Sequence, residues 1–215
     1  MPIEVAVETG SKRVFASAID WPGWARAGRD EDGALEALET YRPRYAGLMR
    51  TSGIRFAPGS TWVVAERLRG DATTDFGAPG IPPAADSRSL TPRQLPRLRG
   101  ILEATWSALD AAVAHARGRA LAKGPRGGGR ELQGIVEHVD GALGGYLRRI
   151  AASSEGEGRE AVRAAALDAL HRAVTEGLPA SGPRGGTIWS PRYFIRREAW
   201  HVLDHTWEIE DRAVS

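Results

Sequence analysis

The 215-residue chain contains no cysteine. That excludes disulfides, thiolate metal ligands and any protein-borne thiol nucleophile. A metal here would have to be held by histidine, aspartate or glutamate. Lysine is scarce as well: Lys12 and Lys123 are the only two among 29 basic residues, and the rest are arginine. With abundant alanine and glycine, that bias reads as the codon usage of a GC-rich genome and not as nucleic-acid chemistry. A large charge of one sign is also missing. The formal net charge is +2, which argues against an extended phosphate-binding face. No apolar run is long enough to span a bilayer, and Met1-Pro2-Ile3-Glu4-Val5 lacks the apolar centre of a signal peptide. The expectation is a cytoplasmic protein with no membrane partner.

What is present divides the chain into two compositions. Ile3 to Glu8 alternates apolar and polar residues, as a half-buried strand should. Thr9-Gly10-Ser11-Lys12 reads as a turn, and Arg13 to Ile19 as a second strand, giving a hairpin. Asp30 to Leu48 reads as a helix with Leu35, Leu38, Tyr41, Tyr45 and Leu48 on one face; Pro43 should end or kink it. Thr61 to Glu66 reads as a third strand. Residues 1–70 are therefore expected to form a small α+β domain of order β-β-α-β. Gly77-Ala78-Pro79-Gly80-Ile81-Pro82-Pro83 cannot continue a helix or a central strand, and residues 71–90 read as a linker. From residue 91 to 215 the pattern is helical. One helix starts at Thr91-Pro92 and fades at Gly118. Others run from about 130 to 152, 158 to 176 and 191 to 212, which predicts an all-α four-helix bundle. The stretch 117–130 carries five basic residues and no acidic ones; being rich in glycine, it reads as a solvated loop.

Chemistry concentrates in the last predicted helix, at His201-Val202-Leu203-Asp204-His205. Residues four apart lie one turn apart on one helix face, which is how two imidazoles reach one metal ion. His205 falls about 40° from His201 on the wheel and Glu208 about 20° to the other side. Apolar residues fill most of the remainder, so the histidines border the core. His138 sits at the edge of the apolar face of the second predicted helix, with Gly134, Ala142 and Gly145 around it. Small residues at that place suggest the close approach of a helix or a ligand, and a pocket lined by Gly134 and Ala142 is expected to open at the histidines. Helix bundles commonly build metal sites from facing helices, so His138, His201 and His205 are the candidate metal ligands. Glu208 and Asp204 are candidates to orient an imidazole from behind. His115 and His171 lack such partners and read as structural or solvated.

Residues 90–215 resemble the DinB-like family of bacterial four-helix bundles. The resemblance lies in Ile135-Val136-Glu137-His138-Val139 and Ala199-Trp200-His201-Val202-Leu203-Asp204-His205-Thr206-Trp207-Glu208. It implies a divalent metal, zinc or nickel, on His138, His201 and His205. It also implies a possible role as a thiol-dependent S-transferase or isomerase using a low-molecular-weight thiol such as mycothiol or bacillithiol. With no cysteine in the chain, that thiol would have to come from a cofactor, and Arg196 and Arg197 could meet it if it is anionic. The resemblance also allows a homodimer. Residues 1–68 resemble the HicB-like antitoxin fold, through Val14 to Gly23, Ala27-Gly28 and Ala34-Leu35-Glu36-Ala37-Leu38. No DNA-binding module adjoins them, so this unit reads as structural or partner-binding.

Three function classes follow. The first is a metal-dependent thiol transferase or hydrolase acting on a small-molecule substrate. The second is a non-catalytic metal- or ligand-binding module. The third, a nucleic-acid regulator, ranks last given the balanced charge.

Overall fold

The computed structural model describes residues 2–123, 129–182 and 186–214. Strands occupy the N-terminal part and helices dominate the C-terminal part. Four strands, β1 (Ile3–Thr9), β2 (Val14–Ala18), β3 (Ala25–Gly28) and β4 (Trp62–Arg69), form one sheet of order β3-β2-β1-β4. β1 pairs antiparallel with β2 and parallel with β4, with a register shift between Val5 and Ala6. The central strands are buried on both faces. Val5, Val7, Val14 and Ala16 point into the main core, while Phe15 and Ala25 meet Trp200 and Ala78 on the other side.

The N-terminal order is β-β-β-α-α-β, not the β-β-α-β expected. The extra strand is β3, which pairs antiparallel with β2. Its sequence, Ala-Arg-Ala-Gly, has no β-branched or aromatic residue, so pairing and not propensity makes it a strand. Gly28 ends it where a Cβ would stand 2.2 Å from the backbone nitrogen of Ala34. Only glycine lets the next helix come that close. That helix is broken: α1 (Glu31–Thr40) and α2 (Arg42–Thr51) meet at Tyr41. Asp30 caps α1 by accepting from Gly33 N at 2.8 Å. Pro43 falls in the first turn of α2, where its missing N–H has no helical partner to lose. It restarts the helix, and the break turns the Tyr41 ring onto Trp207, centroids 4.8 Å apart.

Residues 71–90, read as a linker, are held against the sheet. They contain the short helix α3 (Ala72–Phe76) and a 3-10 turn at Ala84–Ser87. The Glu8 carboxylate accepts from Thr74 Oγ1 and from the backbone nitrogens of Gly80 and Ile81, at 2.9 and 3.0 Å. Four longer helices follow: α4 (Leu95–Ala116), α5 (Leu132–Leu147), α6 (Arg159–Thr175) and α7 (Pro191–Arg212). α4 starts at Leu95 and not at Thr91, because Thr91 to Gln94 make a turn that ties Thr91 to the Gln94 side chain. α5 stops at Leu147 and passes into a 3-10 turn, after which Ala151 takes a left-handed conformation. α7 packs along α4, and α5 packs against α6 and α7. Residues 124–128 of the basic glycine-rich stretch lie outside the described residues. Beside them, Leu121 bridges Ala213, and Arg212 donates to the carbonyls of Ala122 and Arg130.

One apolar cluster runs through both parts. It contains Val5, Trp24, Leu38, Tyr45 and Met49 together with Ile101, Leu102, Ile135, Leu203 and Trp207. Polar ties follow the same boundary: Arg26 to Asp204, and Arg44 to Glu210 and Asp211.

Candidate metal centre

α7 begins at Ser190, whose hydroxyl accepts from Tyr193 N at 3.1 Å, with Pro191 in the first helical position. Both features favour a helix start. From there Phe194, Ile195, Ala199, Val202, Leu203 and Ile209 are buried, which fixes the rotation of the helix. His201 is thereby carried into the interior, 6 % exposed, and His205 lies one turn further on. On α5, buried Ile135 and Val139 set the opposing face and turn His138 towards α7.

The three imidazoles converge. One nitrogen from each of His138, His201 and His205 lies within 4.8 Å of the other two. The ring centroids are 4.8 to 5.0 Å apart, and each pair meets edge to face at 73 to 90°. The Nε2 atoms of His138 and His201 are 3.1 Å apart. Two imidazole nitrogens, each about 2.0–2.1 Å from a common tetrahedral zinc ion, would stand roughly 3.3 Å apart. Two of the three donors, His138 and His201, also have the protonation a metal needs. Burial, reinforced by the neighbouring His205, lowers the His138 pKa, and the same causes take His201 down to about 2. Both rings are therefore neutral near pH 7, with lone pairs to offer.

Glu208 and Asp204 separate clearly. Glu208 Oε2 lies 2.7 Å from His205 Nδ1, and its other oxygen accepts from Arg212. The bond to His205, together with the Arg212 charge, holds the Glu208 carboxyl below its usual range despite partial burial. A carboxylate on Nδ1 leaves Nε2 of the same ring to face the cluster. Asp204 instead accepts from Arg26 of β3 at 3.0 Å. It serves the contact between sheet and helix. His115 and His171 are exposed and stand apart from the cluster.

The surroundings differ from the expected pocket of small residues. A Cβ on Gly134 would meet the Arg130 side chain at 3.5 Å. Ala142 lines a cavity of about 800 Å3 together with Gly145, Tyr146, Arg149 and Trp189. None of the three histidines lines that cavity; the Tyr146 ring in its wall stands 6.0 Å from His201. Arg196 and Arg197 also part company. Arg196 is consumed by Asp86 and the carbonyls of Ala18 and Ile19, whereas Arg197 borders Tyr146 and Trp200.

Two neighbours escaped the sequence reading. In sequence, Tyr146 falls on the apolar face of the second predicted helix with Leu132, Ile135, Val139, Leu143 and Ile150, where it is indistinguishable from a core residue. Glu198, one turn before His201, is completely buried; Trp106 Nε1 donates to its Oε1 at 3.0 Å, and its Oε2 is bare. The available signal was an acidic residue one turn before His201 and about 60° from it on the helical wheel.

The donor set fits a divalent ion, and the described residues bring it together from two helices 63 positions apart. No family model matches the chain, and no curated protein or solved structure is similar to it.

Proposed function

We propose that this chain is a divalent-metal-binding protein in which His138, His201 and His205 hold zinc or nickel, on helices α4–α7 arranged as a DinB-like four-helix bundle. The observation that carries the reading is the meeting of three imidazoles within 4.8 Å of one another. Exposed acidic clusters form by chance; three histidines meeting from two helices beside the core are far more specific. Glu208 orients His205 and, through Arg212, ties it to the backbone of residues 122 and 130. His201 lies deepest and sets the inner limit of the site.

A divalent ion held by three neutral ligands keeps its full charge and would supply Lewis-acid chemistry at an open position. The resemblance to thiol-dependent transferases makes a low-molecular-weight thiol the proposed co-substrate, since the chain has no thiol of its own. Protein purified and measured by elemental analysis is expected to carry close to one equivalent of zinc or nickel. His201→Ala should retain less than a tenth of that, while His115→Ala, at an exposed position, should retain all of it. Absence of bound metal, even after zinc or nickel is added at neutral pH, overturns the reading.

A further inference from the structure

Among the described residues Arg197 has no carboxylate in an ion pair with it, and it is set into the wall of a large cavity. Its Nη1 donates to the carbonyl of Pro79 at 2.8 Å, and the guanidinium also reaches the Tyr146 hydroxyl. Its guanidinium stands 4.8 Å from the Trp200 ring centroid and 5.8 Å from that of Tyr146. No described acidic residue forms an ion pair with it, whereas Arg196 next to it is paired with Asp86 through two nitrogens. A guanidinium carries five N–H donors in a flat fork, so most of Arg197's donors are uncommitted.

The cavity it borders has a volume of about 730 Å3 and lies between α5, the start of α7 and the segments around residues 80 and 188. That size suits a small-molecule ligand. Three rings line it: Tyr146, Trp189 and Tyr193. Trp189 meets Tyr146 with centroids 5.1 Å apart and Tyr193 at 4.9 Å, in a tilted and an edge arrangement. Their faces offer flat apolar surface at little cost in side-chain freedom. The Tyr193 hydroxyl is committed to the carbonyl of Gly80 at 2.7 Å. The Tyr146 hydroxyl accepts from the Arg197 guanidinium, and burial, the dominant influence, keeps it protonated, so its own proton stays available to a ligand.

We infer that this cavity binds a monoanionic molecule with a flat apolar body, an aryl carboxylate or a close analogue, with its carboxylate on Arg197 and the Tyr146 hydroxyl and its body against Tyr146, Trp189 and Tyr193. One uncompensated cation matches one negative charge, and the guanidinium fork matches the two oxygens of a carboxylate. Tyr146 is shared with the histidine cluster, so the ligand lies one ring away from His201. The anion site itself needs no metal.

The test is calorimetric titration of the full chain with 2-naphthoate and with neutral 2-naphthamide, each on zinc-loaded and on EDTA-treated protein. The acid should bind at least tenfold tighter than the amide, with the same preference in both preparations. Arg197→Gln should reduce that preference to twofold or less, and Trp189→Leu should weaken both ligands at least fivefold. Equal binding of acid and amide overturns the inference, as does a preference that survives in Arg197→Gln. A preference lost on EDTA treatment also overturns it, because the carboxylate would then sit on metal; that outcome would leave the three-histidine reading standing. If Arg197→Gln does not fold, Trp189→Leu decides alone, and unchanged naphthoate affinity in that variant rejects the site.

Discussion

Glu198 carries a carboxyl group into the interior with one oxygen bonded and the other bare. Burial pushes it up to about 7, against the Trp106 hydrogen bond and the charge of Arg163, which pull it down. In the unfolded chain it ionises near 4.5. Because the folded protein holds this proton more tightly, the resulting stabilisation is complete below about pH 4.5 and is lost as pH rises through about 7. The slope for one such proton is about 1.4 kcal/mol per pH unit. Wild-type stability is therefore expected to fall relative to Glu198→Gln across that window and to run parallel to it above pH 7. Urea unfolding of both proteins between pH 4.5 and 8 measures this, and a difference that does not change with pH would refute it. The same residue marks a limit of sequence reading. On a helical wheel Glu198 is one polar residue beside the histidines. Only its packing against Trp106 of α4, 92 positions away, makes it a buried acid.

At the scale of elements, α7 is the most legible part of the chain: its expected span, 191 to 212, is the observed one. A proline-started helix with a strong apolar face declares its rotation, and with it the convergence of His201 and His205. β3 and residues 71–90 were illegible for the opposite reason. Ala25–Gly28 is a strand only because β2 supplies a partner. The glycine- and proline-rich run from Gly77 to Pro83 is fixed by side chains from elsewhere, above all Glu8. Arg196 and Arg197 are adjacent and look alike in sequence, and contacts more than 100 residues distant give them opposite roles. Arg196 joins α7 to the 3-10 turn at residues 84–87 and to the end of β2. Its side chain is 12 % exposed and that of Asp86 3 %. Removing one partner of a buried pair leaves an uncompensated charge and costs about 3–5 kcal/mol. Asp86→Asn is expected to lose about 3 kcal/mol in denaturant unfolding, and a loss under about 1 kcal/mol would contradict this assignment.

At the scale of the whole molecule, the sheet and the long helices share one apolar cluster and are tied by Arg26–Asp204 and by Arg44 with Glu210 and Asp211. The exposed ion pairs among these add little, and the shared apolar surface dominates. Trp21, Trp24 and Trp62 lie in the N-terminal part and Trp106, Trp189, Trp200 and Trp207 in the helical part, so tryptophan fluorescence reports on both, whereas far-UV circular dichroism reports chiefly on the helices. The common core predicts that tryptophan fluorescence and circular dichroism follow one coincident urea transition. Two separated midpoints would show the parts to unfold independently.

Gly23 gives this joint core a point of leverage far from the histidines. Its φ is 92°, and an added Cβ would lie 2.9 Å from Leu203 Cδ1 and 3.2 Å from the carbonyl oxygen of Ala199. Leu203 sits between the two histidines in sequence but on the far side of α7 from the imidazoles. Any other residue at position 23 meets an unfavourable dihedral and the wall of the helix together. A side chain in the turn after β2 would therefore push on the helix that carries His201 and His205, some 180 positions further along the chain.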